Sequence, residues 1–271
     1  MKMKKLMSGF LVGSMLLATV LAGCSNSKEG TPSSATVSGG SSDSGKKIVK
    51  VGCKSDVPNF GLMNTEMGEF EGLEIDLARE ICKEIYGDDV EVQFQAVTAK
   101  TRGPLLETGE VDMVSATFTI TDERKETYNF TQGYYTDHVK LMVQKSSGIE
   151  GFTGLDGKNI GVAQSATTKD SIQAAADEAG ISVNFSEFAS YPEIKSALDS
   201  GRVDCFSVDG SILSGYMNDT LMLLPEEFAP QEYGIAIAKE NTELAEKADE
   251  VITQMKSNGE LDELLEKWGL N

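Results

Sequence analysis

Residues 99–124 read AKTRGPLLETGEVDMVSATFTITDER, and their pattern decides the architecture. Pro104 suits the first turn of a short helix, where its missing N–H costs nothing, and Gly109 suits the stop after it. Residues 111–116 form a short apolar run of the kind a buried strand carries. Thr121 is placed to cap a second helix, with Asp122 and Glu123 complementing its dipole. Arg124 then falls in the first turn, where a cation opposes that dipole. With Lys125 beside it, a solvated surface arginine is the plain alternative. The sharper expectation is that Arg124, the Thr117 and Thr119 hydroxyls and the local N–H groups converge on an anion. A guanidinium fork beside a helix N-terminus suits a carboxylate.

Working outward, residues 47–51 read as a strand, and Lys54 lies just past its end, where open α/β sheets place ligand groups. Residues 72–77 lead into an amphipathic helix that stops near Gly87, with Ile75, Ala78, Ile81, Cys82 and Ile85 on one face. Residues 90–97 alternate apolar and polar, as a strand with one buried face does. This is βαβ architecture in a lobe of modest size. Downstream, residues 139–144 read as a strand crossing to a second lobe. A strand at 160–163, a hydroxyl-rich turn at 164–168 that offers Thr167 and Thr168, and a helix at 169–179 follow. A strand at 183–188 and a helix opened by Ser190 and stopped by Gly201 complete that lobe. Residues 233–239 read as one strand returning to the first lobe. Amphipathic helices at 242–256 and 260–268 close the chain, with Trp268 packing rather than binding.

The chain also repeats itself. Residues 106–117, LETGEVDMVSAT, align without gaps on residues 198–209, LDSGRVDCFSVD. A match over helix end, turn and strand implies two similar lobes facing one another. Thr117 and Asp209 then hold equivalent strand-end positions on opposite walls of a cleft. One wall offers a carboxylate site and the other an acid, which together describe a receptor for a zwitterion, an amino acid.

The first 24 residues have the form of an export signal: Lys2, Lys4 and Lys5, an apolar core at 6–21, and Leu-Ala-Gly-Cys ending at Cys24. Residues 25–45 are rich in Ser and Gly and read as a flexible leash of roughly 25 Å r.m.s. reach. Loss of the three signal lysines leaves 21 basic against 43 acidic side chains, a net charge of −22. That balance argues against nucleic acid and anionic lipid as partners. Cys53, Cys82 and Cys205 each lie in an apolar run and show no metal-ligand spacing, so buried free thiols are the default. His138 is the only histidine, which leaves no His-rich metal site. The expected organisation is a signal at 1–23, a lipidated Cys24 and linker at 24–46, lobe 1 at 47–137, lobe 2 at 138–234, and a return to lobe 1 at 235–271.

The Leu-Ala-Gly-Cys end resembles the lipobox of bacterial lipoproteins, in which the cysteine is acylated. Beyond it, the chain from Ile48 to Leu270 resembles the substrate-binding proteins of bacterial ABC importers for polar amino acids. The most specific pieces are residues 72–77 (GLEIDL), 119–124 (TITDER), 161–168 (GVAQSATT) and 201–204 (GRVD) leading to Asp209. Residues 51–58 (VGCKSDVP) and 100–106 (KTRGPLL) bring it nearest the aspartate/glutamate-binding members. The resemblance implies a type II periplasmic-binding-protein fold, two α/β lobes joined by two crossing segments with the ligand in the cleft between them. It implies Arg124 on the α-carboxylate, Asp209 and Tyr191 near the ammonium, and Lys54, Arg102 and Thr117 around a side-chain carboxylate. It also implies ABC permease subunits as partners, a monomer tethered to the membrane through Cys24, and no cofactor or metal.

Gly103 and Pro104 hold Arg102 at a helix start, consistent with a role beyond a surface arginine. Two arginines and a lysine at one cleft exceed what a neutral side chain needs, and burying them unpaired costs several kcal/mol. An acidic ligand is therefore expected, with a neutral polar amino acid such as glutamine as the alternative. An exported hydrolase or dehydratase on the same fold lacks support, since there is no G-x-S-x-G elbow, no pair of histidines and no phosphate-cradling loop. An adhesin or sensor using the same ligand is the third class.

Overall fold

The computed structural model describes residues 46–271. The expected signal, Cys24 and most of the linker lie outside them. Among the described residues, no helix is long and apolar enough to cross a membrane.

Two sheets carry the fold. The first runs in the order Glu91–Ala96, Ile48–Cys53, Met113–Ser115, Ala236–Ala238, Tyr128–Phe130. Its first three strands are parallel, and Ala236–Ala238 is antiparallel to both neighbours. The second runs Asn184–Phe188, Asn159–Ala163, Cys205–Asp209, Tyr135–Gln144, Leu221–Leu223, with Phe228–Tyr233 also paired to Tyr135–Gln144. Its first three strands are likewise parallel, in the same spatial order. A three-stranded antiparallel ribbon, Asp56–Val57, Gly61–Asn64 and Glu69–Glu71, lies beside the first sheet's opening strand in sequence.

The internal repeat is structural down to single hydrogen bonds. In each copy a helix, Arg102–Glu107 or Tyr191–Asp199, ends on a glycine with left-handed φ, 71° at Gly109 and 70° at Gly201. Val111 N–H donates to the Leu105 carbonyl as Val203 N–H does to Ala197, both at 3.3 Å. Asp112 and Asp204 each tie their strand to its neighbour. Their N–H groups donate to the Lys50 and Asn159 carbonyls at 2.8 Å, and their carboxylates accept from the same two residues' N–H groups. Leu106 and Leu198 are both buried beneath the turn.

The return to the first sheet differs from the single strand expected at 233–239. Phe228–Tyr233 and Ala236–Ala238 are separate strands, broken around Gly234, because the first pairs with the second sheet and the second with the first. Beside this break the outgoing chain crosses as well. Thr131 N–H donates to Ile235 and Tyr134 N–H to Tyr233, at 3.0 and 2.9 Å. The two crossings form a narrow hinge. Helices Thr242–Asn258 and Glu260–Lys267 pack Leu244, Ala248, Ile252 and Leu261 onto the first lobe's core, and Trp268 donates its indole N–H to Asp76 at 2.9 Å. Cys53, Cys82 and Cys205 are buried and free.

Candidate functional site

Parallel α/β sheets gather ligand groups at the carboxyl ends of their strands. Here those ends belong to Ile48–Cys53, Met113–Ser115, Asn159–Ala163 and Cys205–Asp209, the four equivalent strands of the two lobes. Lys54 follows the first and is buried, 1 % exposed. Its ammonium sits 3.0 Å from Asp56 and 4.4 Å from the centre of the Tyr191 ring. Tyr191, at the first position of its helix, donates its N–H to Asp56 at 3.3 Å, and Tyr216 donates its hydroxyl to the Asp56 carbonyl. Both tyrosines belong to lobe 2, so Asp56 joins the lobes as well as accompanying Lys54.

Arg102 is 3 % exposed and donates from Nη1 to the Ala116 and Thr117 carbonyls at 2.7 and 2.8 Å. That clamp helps hold Thr117 in a left-handed conformation, φ 44°, which costs a non-glycine residue about 1–3 kcal/mol. The Thr117 N–H donates to Glu74, which also accepts the Tyr134 hydroxyl. Glu74 is fully buried at the head of the Leu73–Tyr86 helix. Its place depends on Gly72, whose φ of 130° and an added Cβ only 2.2 Å from the Phe60 carbonyl admit no other residue.

Phe118 carries both arginines on its ring, with the Arg102 guanidinium 4.1 Å and the Arg124 guanidinium 4.7 Å from its centre. Thr121 caps the Asp122–Thr127 helix by accepting the Arg124 N–H at 3.1 Å, as the sequence requires. Arg124 donates to the Thr119 carbonyl at 2.7 Å and, across the lobes, to the Ser165 carbonyl at 3.2 Å. Thr119 and Thr167 both donate to the side-chain carbonyl of Gln231, at 2.8 and 2.7 Å, and Thr168 is buried at the head of its helix. Asp209 ends its strand 6 % exposed and accepts the Tyr233 hydroxyl.

Burial governs the charges. It pushes Asp209 up to about 7, against the pull of the Tyr233 hydroxyl and of Arg102 and Arg124. It also pushes Glu74 above the usual carboxylate range, against the Tyr134 hydroxyl, the Thr117 N–H, Arg102 and Lys54. Lys54 and Arg102 are pushed down by burial, and Arg124 by burial together with the like charge of Arg102. Arg102 thus repels both Lys54, buried like itself, and the half-buried Arg124.

All nine expected site residues fall at or beside this region, Lys54, Arg102, Thr117, Thr119, Arg124, Thr167, Thr168, Tyr191 and Asp209. One premise of their assignment needs correction. Lys54 and Arg102 are not unaccompanied cations, because Asp56 pairs with Lys54 and Glu74 faces Arg102. Tyr191 lies against Lys54 as well as in the field of Asp209. Sequence reasoning passed over Asp56, Glu74, Phe118, Gln231 and Tyr233 as site residues. Asp56 and Glu74 stood inside the quoted motifs, and charged residues at strand end and helix start were the available signal. Gln231 and Tyr233 had none. A surface hollow of about 620 Å³ between Tyr128 and Asp249 holds none of these residues.

Comparison with known proteins places the chain. Residues 49–271 match the model of the bacterial extracellular solute-binding proteins, family 3. The glutamine-binding protein GlnH of an ABC transporter of Bacillus subtilis is 36 % identical, over 98 % of this chain and 97 % of its own. The glutamate-binding protein GluB of Corynebacterium glutamicum is 29 % identical, over 94 % of this chain and 88 % of its own. An ancestral arginine-binding protein bound to glutamine superposes with a TM-score of 0.74 at 31 % identity, covering 83 % of this chain and 98 % of that one. With two repeated α/β lobes, a hinge of paired crossings and a charged cleft between them, the chain belongs to the bacterial extracellular solute-binding proteins, family 3.

Proposed function

We propose that this chain is the binding component of an ABC importer, capturing aspartate or glutamate between its lobes and presenting it to permease subunits. The observation that carries the acidic reading is a trio of cations, buried Lys54 and Arg102 and half-buried Arg124, in which Arg102 repels the other two. Arg124 takes the α-carboxylate, with Thr119, Thr167 and Thr168 shaping the loops around it. Asp209, supported by Tyr233 and near Tyr191, takes the ammonium. Lys54, Arg102 and Thr117 take the side-chain carboxylate. If Glu74 is protonated, the direction in which its burial pushes it, three cations face the two acids Asp56 and Asp209, and a ligand of net charge −1 neutralises the remainder. No catalytic step enters this reading, and the protein acts as a monomer. Lipidation of Cys24 at the end of a 1–23 signal, with residues 24–46 as leash, keeps lobes 47–137 and 138–234 and the closing segment 235–271 at the outer face of the membrane.

A second reading, glutamine, is favoured by the name of the Bacillus relative and by the acid count. If Glu74 is ionised, three cations meet three acids and a neutral side chain suffices. Calorimetric titration of the 46–271 domain separates the two. Aspartate or glutamate should bind at least about a hundredfold tighter than glutamine, roughly 2.7 kcal/mol, because an amide points donors at donors. Equal affinity for glutamine and glutamate overturns the acidic reading. Cys24→Ala should move the protein out of the membrane fraction with its ligand affinity intact, and membrane retention of that variant overturns the anchor.

A further inference from the structure

Besides Asp56 Oδ1, which lies 3.0 Å from the Lys54 ammonium, three buried polar atoms of the site have no hydrogen-bond partner: Glu74 Oε2, Arg102 Nε and Thr117 Oγ1. All three belong to one connected unit. Glu74 Oε1 accepts the Thr117 N–H, and Arg102 Nη1 donates to the Thr117 carbonyl. Glu74 Oε1 also accepts the hydroxyl of Tyr134 from the outgoing hinge crossing. The glutamate therefore uses one oxygen to hold the side-chain end of the cleft together. Its other oxygen is buried with no protein partner, where neither a bare carboxylate oxygen nor an unused donor is comfortable.

We infer that Glu74 is a specificity-determining residue, whose protonation sets the ligand charge that the side-chain end of the cleft accepts. With an acidic ligand bound, Glu74 holds a proton, so Arg102 is left to the ligand carboxylate while Asp56 stays beside Lys54. With a neutral side chain bound, Glu74 gives that proton back and balances Arg102 itself. The groups facing it are consistent with both states. Cys53 and Lys54 approach from the first strand, Arg102 from the helix after the second, and Tyr134 from the hinge, while Arg79 and Asp76 lie on its own helix. The burial that raises its pKa supplies the tendency to hold a proton, and the two donors on Oε1 work the other way. This inference rests on the acidic reading.

Linked-proton calorimetry tests it on the unmodified domain. Heats of binding for glutamate and for glutamine are measured in buffers of different ionisation enthalpy between about pH 6 and about pH 9, and the difference in protons bound is taken. Both ligands present the same ammonium to Asp209, so its titration cancels. Glutamate should bind with more protons than glutamine, the difference approaching one proton at its maximum. In Glu74→Gln the amide oxygen keeps both hydrogen bonds and the NH₂ replaces the unpaired oxygen. There the difference should vanish and the glutamate-to-glutamine affinity ratio should rise at least about tenfold. Equal proton numbers for the two ligands in the wild type overturn the inference. So does a difference that persists in Glu74→Gln, which would assign the proton to Lys54. Failure of the acidic reading is seen separately, as wild-type protein that binds glutamine and not glutamate. In that case Glu74→Gln must acquire glutamate binding, and its failure to do so overturns the inference too.

Discussion

Arg124 and Asp209 sit at opposite walls of the cleft, and each yields a prediction. On the proposed assignment to the α-carboxylate, Arg124→Ala removes one partner of a charge pair enclosed with the ligand and should cost about 3–5 kcal/mol of binding, read by calorimetry, with folding nearly intact. A variant within threefold of wild type would contradict the α-carboxylate assignment. Asp209 has its folded pKa raised to about 7 from an ordinary 3.8. The native state therefore holds a proton there that the unfolded state has lost. The resulting stability is full below the ordinary value and is lost as pH rises through about 7. Asp209→Asn should accordingly raise the Tm of unliganded protein more at about pH 8 than at about pH 5. Ligand binding runs the other way. An ammonium needs the ionised carboxylate, so wild-type affinity should fall by up to about tenfold per unit as pH drops below about 7.

Elements in this fold are set by turns whose glycines do two different jobs. Gly109 and Gly201 end the repeated helices at φ 71° and 70°, and an added methyl at either would meet nothing within 4 Å. Replacement by alanine therefore costs only the left-handed strain, about 1–2 kcal/mol each in urea unfolding, with ligand affinity retained. Gly72 combines positive φ with contact against the Phe60 carbonyl, and it starts the helix that carries Glu74. Gly72→Ala should be more destabilising than either turn variant and should also weaken binding. Equal effects at the three positions would show that the Leu73–Tyr86 helix tolerates a shifted start.

The described residues form a molecule whose lobes are shut on one another. Arg124 reaches the Ser165 carbonyl, Asp56 accepts the Tyr191 N–H, and Thr119 and Thr167 share Gln231. Only the two crossings around 130–135 and 233–236 join the lobes covalently, so a hinge can open without breaking either sheet. Small-angle scattering should give a profile matching this closed form at ligand saturation and a larger radius of gyration without ligand. Identical profiles would mean that the lobes close before ligand arrives.

Much of this was legible in the chain because it is local. Pro104, Gly109, Thr121 and the 106–117 and 198–209 repeat fix helix ends and strands through short-range sterics and capping, and the structure reproduces the repeat bond for bond. The same repeat put Thr117 and Asp209 at matching strand ends. Boundaries slipped where pairing partners decide them, as at 233–239, whose split follows from one half joining each sheet. What the linear order could not supply was the company of each charge. Lys54 meets Asp56 in a local turn, but Glu74 reaches Thr117 across 43 positions and Tyr134 across 60, and Gln231 reaches Thr119 across 112. Residue types and spacing singled out Arg124, and the resemblance to the amino-acid-binding family added Lys54 and Arg102 to the same cleft. Only the tertiary structure, by burying Glu74 and Asp209 among them, decided how much positive charge is left for a ligand, because desolvation acts on atoms brought together by folding.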